Sequence, residues 1–340
     1  MELKADSGTT KILFTDAENF LMNLKGRSRV LIVIDENIQK LYGGRFKGLD
    51  KIILPPGESS KTLGTVKKIY EKFLKLDVDR SSLIIGVGGG TISDITGFAA
   101  ATFMRGVPFG FVPTTLLAQV DASIGGKNGV NFKGLKNMIG TVRQPEFCVV
   151  DFSFLKSLPF DQLISGVAEI VKYGVILDRR LFGYLENNHS RIVYLEKASI
   201  DFAVSNAISA KISIVQRDEK DAGERMKLNF GHTVGHAIEK VTGLPHGHSI
   251  AIGMIAESRL SALKGFLPDR DVGRIEELLK AIGLPTRSRA NRRDVMEAIT
   301  KDKKGSGDAI KIALPERIGR SSIYKIRKGE LKEAVEEVCI

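Results

Sequence analysis

The spacing of hydrophobic and polar positions changes once along the chain. In the first half, short apolar runs alternate with amphipathic segments. RVLIVID (29–35) is a β-branched run ending in an aspartate, and KIILP (51–55) is similar. Unbroken apolar runs of this length predict strands buried on both faces. SKTLGTVKKIYEKFLKL (60–76) has apolar residues at helical spacing, and SLIIGVGGG (82–90) is a third strand running into glycines. TISDITGFAAATFM (91–104) then predicts a helix whose small residues allow close packing, and GFVPTTLLAQ (110–119) a strand that breaks at Pro113. This strand–helix alternation predicts an α/β fold with a Rossmann-like parallel sheet covered on both faces.

Beyond about residue 150 the period becomes helical. DQLISGVAEIVKYGVIL, SIDFAVSNAISAKISIVQRD, the stretch around 229–254 and VGRIEELLKAIG all carry it, while DAIKIAL and SSIYKI predict short strands near the C-terminus. The division expected is therefore 1–150 for the sheet domain and 151–340 for a mostly helical domain. Neither an internal repeat nor a low-complexity linker is evident.

Composition narrows the class. A hydrophobic fraction of 43% over 340 residues supports a sizeable core. No apolar run approaches the ~20 residues needed to span a bilayer. The N-terminus carries charges where a signal peptide needs an apolar stretch, so a cytoplasmic location is expected. Cys148 and Cys339 lack metal-like spacing, which fits a reducing compartment. The net charge of +11 raises the question of nucleic acid, but Trp is absent and no basic run is interleaved with aromatics for base stacking. A basic solvated surface, or a local field for a small anionic substrate, accounts for the charge as well.

Two stretches carry candidate chemistry. GVGGGTISD (86–94) follows a strand and opens a helix, so backbone N–H groups there can approach a pyrophosphate. It matches neither G-x-G-x-x-G nor a P-loop, and a tight strand–helix turn is the bland alternative. Asp35 and Asn37 after the first strand, and Glu58 and Lys61 after the second, add polar groups at the same edge of a parallel sheet, where ligands bind. The other stretch is NFGHTVGHAIEKVTGLPHGHSIAIGM (229–254), which holds four of the five histidines. His232 and His236 lie at i, i+4, and the TGLP break (242–245) brings His246 and His248 after a chain reversal. Clustered imidazoles point to a metal, and a catalytic zinc requires a third ligand. H-E-x-x-H is absent, because Thr233 replaces the glutamate. Glu169, in the otherwise apolar SGVAEIVKYG, is the candidate, and an ion pair with Lys172 at i+3 is its alternative role.

Taken in order, PPGESSKT, GVGGGTISDITGFAAATFMRG, VPTTLLAQVDASIGGKNGVN, GLKNMIG, SGVAEIVKYG, RDEKDAGERMKLNFGHTVGHAIE, HGHSIAIGM and KDKK span almost the whole chain. In these motifs the chain resembles the 3-dehydroquinate synthases, within the sugar-phosphate cyclases. The resemblance implies a homodimer with an N-terminal NAD domain and a C-terminal helical domain holding a divalent metal, Zn²⁺ or Co²⁺, on Glu169, His232 and His246. His236 is implied to face the substrate phosphate instead. NAD is implied to contact Asp35, Asn37, Glu58, Lys61, Gly88, Gly89, Gly90, Asp94, Thr114 and Thr115, with Lys127 and Lys136 at the same site. The implied substrate is 3-deoxy-D-arabino-heptulosonate 7-phosphate. Its carboxylate and phosphate match a set of cations: Arg105 (reaching across the dimer), Lys127, Lys136, Lys172, Lys211, Arg225 and Lys303. Asp121, Asn137 and Asn229 are the implied partners for hydroxyls and phosphate, and Asp121, Lys127, Lys172 and His236 are the implied catalytic set.

The implied chemistry is redox-neutral: transient oxidation by NAD, phosphate elimination, re-reduction, ring opening and intramolecular aldol closure. That makes the enzyme a carbon–oxygen lyase of the shikimate pathway to aromatic amino acids. Two positions depart from the family pattern. His248 stands where Glu usually follows H-G, as a fourth ligand, a supporting partner or an exposed substitution. Asp221 stands where Glu usually precedes A-G-E-R. The alternatives are a 2-deoxy-scyllo-inosose or valiolone-type cyclase, favoured less because Lys211 and Arg225 suit a carboxylate, and a metal-dependent polyol or glycerol-phosphate dehydrogenase. Neither nucleic acid nor membrane is an expected partner.

Overall fold

The computed structural model describes residues 1–24, 27–302 and 308–339. The chain forms two units, Met1–Leu158 and Pro159–Ile340.

The first unit opens with a hairpin, β1 (Glu2–Ala5) and β2 (Gly8–Phe14), and a short helix α1 (Ala17–Met22) capped by Asp16. There follow β3 (Val30–Asp35), α2 (Glu36–Tyr42), β4 (Asp50–Leu54), α3 (Leu63–Lys75), β5 (Leu83–Gly88), α4 (Gly90–Thr102) and β6 (Phe109–Pro113). A hairpin of β7 (Lys127–Phe132) and β8 (Leu135–Val142) precedes β9 (Phe147–Val150). The main sheet runs β1-β2-β9-β6-β5-β3-β4, parallel throughout except for the antiparallel edge strand β1. The α/β expectation is met, and the central strands are buried as their apolar runs predict. Leu31 to Ile34 and Leu83 to Ile85 are all 0% exposed. Sequence periodicity did not reveal β1, β2 or β9, because β2 and β9 pair with each other across more than a hundred residues of chain.

The second unit is mainly helical: α5 (Phe160–Ile176), α6 (Arg179–Val193), α7 (Lys197–Arg217), α8 (His232–Thr242), α9 (His246–Leu263), α10 (Asp269–Ile282), α11 (Arg292–Asp302) and α12 (Leu331–Val338). The expected C-terminal strands are β10 (Ala309–Arg317) and β11 (Arg320–Arg327), paired antiparallel. In α5 every residue from Leu163 to Ile176 is buried, so it is a central helix, enclosed on all sides. By contrast α6 buries one face, through Leu181, Phe182, Leu185 and Ile192. Contrary to the expectation from the apolar runs, α7 is long and apolar enough to cross a bilayer by length and composition alone, and 56% of its apolar window is buried inside the protein.

Candidate active site

In the first unit the candidate cofactor residues collect at the C-terminal ends of four adjacent parallel strands. Asp35 ends β3, Glu58 and Lys61 follow β4, Gly88 ends β5, and Thr114 and Thr115 follow β6. Asp35 is also the N-cap of α2, where its Oδ1 accepts from Ile38 N at 2.9 Å. Burial raises its pKa against the hydrogen bonds that lower it. Asn37 is exposed in the first turn of α2. At the end of β5 the chain turns so tightly into α4 that a Cβ on Gly88 would sit 2.6 Å from Ile92. Gly89 is the N-cap of α4 and supplies no side-chain cap, so the first-turn N–H groups face outward from that helix end.

A polar network ties these strand ends together. Lys61, only 4% exposed, pairs with Asp94 of α4. Glu58 accepts from Thr91 Oγ1 at 3.2 Å and from Asn131 Nδ2 at 2.8 Å. Asn131 in turn accepts from Asn137 N at 2.9 Å, with Asn137 at a left-handed φ of 54°. Thr115 Oγ1 accepts from Ala118 N, whereas the buried Thr114 Oγ1 lacks a hydrogen-bond partner among the described residues. An orphaned hydroxyl beside an uncapped helix end fits a bound dinucleotide. Asn131 was not among the sequence candidates; its role depends on β7 meeting the segment after β4, where Asn131 N donates to the Lys61 carbonyl, a contact that no local pattern signals.

The substrate candidates of this unit are more exposed. Lys127 and Lys136 are exposed on β7 and β8, and half-buried Asp121 lies in a π-helical turn, Ala118–Ala122. Met104 and Arg105 are consecutive residues with positive φ, 50° and 64°, ahead of Gly106. Two such residues in a row store strain, which tends to be retained where function requires it.

In the second unit three helices each supply one metal-ligand candidate: Glu169 on α5, His232 at the start of α8, and His246 at the start of α9. The helices approach closely because glycines face backbone. A Cβ on Gly247 would lie 2.3 Å from Ser165 Cα of α5, and one on Gly253 would lie 2.0 Å from the Gly231 carbonyl oxygen. The TGLP break does reverse the chain: Gly243 ends α8 at φ 72° and Pro245 precedes α9. Buried Glu257 of α9 accepts from Gly231 N at 2.7 Å and Val234 N at 3.2 Å, taking the place of the N-cap that α8 lacks. It joins the two histidine-bearing helices. Sequence analysis missed it, although a lone glutamate in an apolar helix was visible as an anomaly.

Glu169 is 0% exposed, with His232 Nε2 at 3.6 Å and His246 Nε2 at 3.5 Å from its Oε1. Metal–ligand distances of about 2.0–2.1 Å in a tetrahedron set neighbouring ligand atoms roughly 3.3–3.4 Å apart. Both distances from Glu169 are close to that spacing, and the three ligand atoms all lie within 4.8 Å of one another, so the group fits a shared divalent metal. The alternative role considered for Glu169, the ion pair, is present as well as the ligand-like spacing, since its other oxygen pairs with Lys172, which is 1% exposed. His232 has its pKa lowered to about 3, by burial and then by the Lys172 charge, so its imidazole is neutral and ready to ligate. For His246, burial alone lowers the pKa, but hydrogen bonds to Glu169 and Glu239 outweigh it and raise the value to about 9.

A metal taken up by this group near neutral pH would therefore displace a proton from His246. Calorimetric Zn²⁺ titration of the chelator-stripped protein in buffers of different ionisation enthalpy is expected to show about one proton released near pH 7.5. Apparent affinity is expected to rise about tenfold per pH unit until pH approaches 9. A zero slope against buffer enthalpy would mean that His246 is already neutral.

His236 is exposed on α8, its ring centroid 5.1 Å from that of His232. His248 does not join the ligand group: its Nε2 lies 4.0 Å from Asp161, and burial lowers its pKa. Lys211 and Arg225 are buried, and Arg225 Nη1 donates to the Glu219 carbonyl at 2.6 Å. Asp218 organises the loop ahead of Arg225 by accepting from Ala222 N, Gly223 N and Arg225 N. Asp221 occupies a left-handed φ of 59°, a conformation that Asp tolerates. Asn229 is exposed and, with Met226, Thr233, Ile312 and Lys325, lines a cavity of about 410 Å³. Lys303 lies outside the described residues.

Solved structures with this fold identify the class. A 2-deoxy-scyllo-inosose synthase complexed with carbaglucose-6-phosphate, NAD⁺ and Co²⁺ superposes with a TM-score of 0.89 at 27% identity, covering 99% of each chain. The 2-epi-5-epi-valiolone synthase of Streptomyces hygroscopicus subsp. jinggangensis 5008, with NAD⁺ and Zn²⁺ bound, gives 0.87 at 25% identity, covering 97% of this chain and 96% of its own. The fold is that of the sugar-phosphate cyclases. Sequence relatives narrow it further. The 3-dehydroquinate synthase of Alkaliphilus metalliredigens is 40% identical over 314 residues, 89% of this chain and 88% of that protein. That of Pyrococcus furiosus is 42% identical over 289 residues, 84% of each. The 3-dehydroquinate synthase N-terminal family matches residues 51–165 and the C-terminal family residues 166–305. The chain belongs to the 3-dehydroquinate synthase family.

Proposed function

We propose that the chain converts 3-deoxy-D-arabino-heptulosonate 7-phosphate to 3-dehydroquinate and phosphate, with NAD in the first unit and a divalent metal in the second. The observation that carries this reading is the fully buried Glu169 facing two imidazole nitrogens at 3.5–3.6 Å, in a chain of this family. When bound, NAD supplies a transient hydride acceptor and the metal a Lewis acid. Glu169, His232 and His246 would hold the metal. Asp35, Asn37, Glu58, Lys61, Gly88, Gly89, Gly90, Asp94, Thr114 and Thr115 would hold NAD, with Lys127 and Lys136 at the same site.

The remaining assignments follow charge. Lys211 and Arg225, buried cations, suit the substrate carboxylate, where a low-dielectric setting strengthens charge-assisted hydrogen bonds. Arg105, Lys127, Lys136, Asn137, Asn229, His236 and Lys303 serve the phosphate and hydroxyls, and Asp121 orients a hydroxyl. Lys172, held by Glu169, stabilises developing enolate charge. Much of the rate enhancement then comes from positioning, with the departing phosphate taking the proton. We further propose a cytoplasmic homodimer in which Arg105 serves the neighbouring copy; its mass in solution tests this.

The deciding assay strips the protein with chelator, adds NAD⁺ and the heptulosonate phosphate, and follows phosphate release with and without Zn²⁺ or Co²⁺. Metal- and NAD-dependent release, with dehydroquinate formed and no net NADH, is the expected result. Retained NAD binding with no phosphate release under either metal would overturn the substrate assignment in favour of another cyclase. Accumulating NADH would point to a dehydrogenase.

A further inference from the structure

The two imidazoles of the metal group are held in different ways. His232 Nδ1 lies 3.1 Å from the Phe230 carbonyl oxygen, so backbone fixes its ring. His246 begins α9 and lies 3.3 Å through Nδ1 from Glu239 Oε2, a side chain seven residues earlier. Glu239 lies on α8 at i+7 from His232 and i+3 from His236, so all three share one stripe of the helix. The TGLP reversal folds His246 back onto that stripe. Glu239 has a side chain only 17% exposed, which sets the contact apart from a solvated surface pair. The His246 ring thus lies between two carboxylates, with Nε2 toward Glu169 at 3.5 Å and Nδ1 toward Glu239 at 3.3 Å.

We propose that Glu239 is a positioning residue for the metal centre. It accepts the Nδ1–H of His246, fixes the ring's tautomer and orientation, and leaves the Nε2 lone pair directed at the position shared with Glu169 and His232. Carboxylates behind ligating histidines commonly act in this way. The inference rests on the metal reading above. A competing arrangement has Glu239 bind an ion itself, because ligand atoms of His236, Glu239 and His246 also lie within 4.8 Å of one another. It is disfavoured because it would need the His246 nitrogen that already faces Glu239, and because His236 is exposed.

The test titrates Zn²⁺ and Co²⁺ into the full-length, chelator-stripped protein, against a chromophoric chelator, for the natural chain, Glu239→Gln and Glu239→Ala. NAD affinity serves as the folding control. Expected are one equivalent in all three, a Kd raised about 10–100-fold in the variants, and a shifted Co²⁺ visible spectrum. Gln, which keeps an acceptor, should lose less than Ala. Unchanged affinity and spectrum in both variants, with the natural chain binding tightly, would overturn the inference and leave the metal reading intact. A second equivalent that only the natural chain takes up would overturn it by making Glu239 a ligand. A natural chain that binds neither ion would overturn the metal reading and this inference with it.

Discussion

Replacing Glu169 with alanine is expected to abolish metal binding and to destabilise the metal-free protein by about 3–5 kcal/mol. Both effects have one origin. Glu169 is fully buried and serves two neighbours at once: its Oε1 faces the two imidazoles and its Oε2 the ammonium of Lys172. Removing the carboxylate leaves Lys172 as an unpaired cation at 1% exposure. Breaking one half of a buried pair costs far more than removing both halves. Glu169→Leu combined with Lys172→Met should therefore recover most of the lost stability, although it binds no metal. Urea unfolding of the three stripped proteins, beside a Zn²⁺ titration, separates the effects. A double variant no more stable than Glu169→Ala would show that the pairing argument is wrong, and tight Zn²⁺ binding by Glu169→Ala would remove it from the ligand set.

The second large effect is expected from a single methyl group. Gly253→Ala would place its Cβ 2.0 Å from the Gly231 carbonyl oxygen and 2.6 Å from Gly235 N. These obstacles are backbone atoms of α8, which cannot rotate away as a side chain can. Overpacking of this kind costs about 1–3 kcal/mol, occasionally more. Because α8 carries His232 and α9 carries His246, forcing the helices apart should also weaken metal binding. The control is Gly273→Ala on α10, where a Cβ meets no atom within 4 Å. Removing a mid-helix glycine there should stabilise the protein by about 0.4–1 kcal/mol and leave metal affinity unchanged. Thermal unfolding with and without Zn²⁺ compares the two. If Gly253→Ala melts and binds like the natural chain, the close approach of α8 and α9 does not set the ligand spacing.

The strongly periodic elements could be read from the chain alone. The strands around Ile32, Ile85 and Val112 are buried on both faces, so they appear as unbroken apolar runs, and α3 and α10 bury one face at helical spacing. The glycines after β5 and the histidines around the TGLP break could be read as well, because each is a local arrangement of unusual residues. Local sequence also indicated the turn that brings His246 back, since Gly and Pro restrict the backbone wherever they occur. The rest depends on pairings between distant segments. Strands β2 and β9 join at a register such as Ile12 with Cys148, which neither segment encodes by itself. Glu58 meets Asn131 only because β7 returns beside the segment that follows β4, and Glu257 reaches Gly231 only because glycines let α8 and α9 touch. In sequence Glu169 could be either a metal ligand or the partner of Lys172. Its two oxygens face different neighbours, and that division comes from the packing of α5 against the two histidine helices, a property of three dimensions that one-dimensional spacing does not contain.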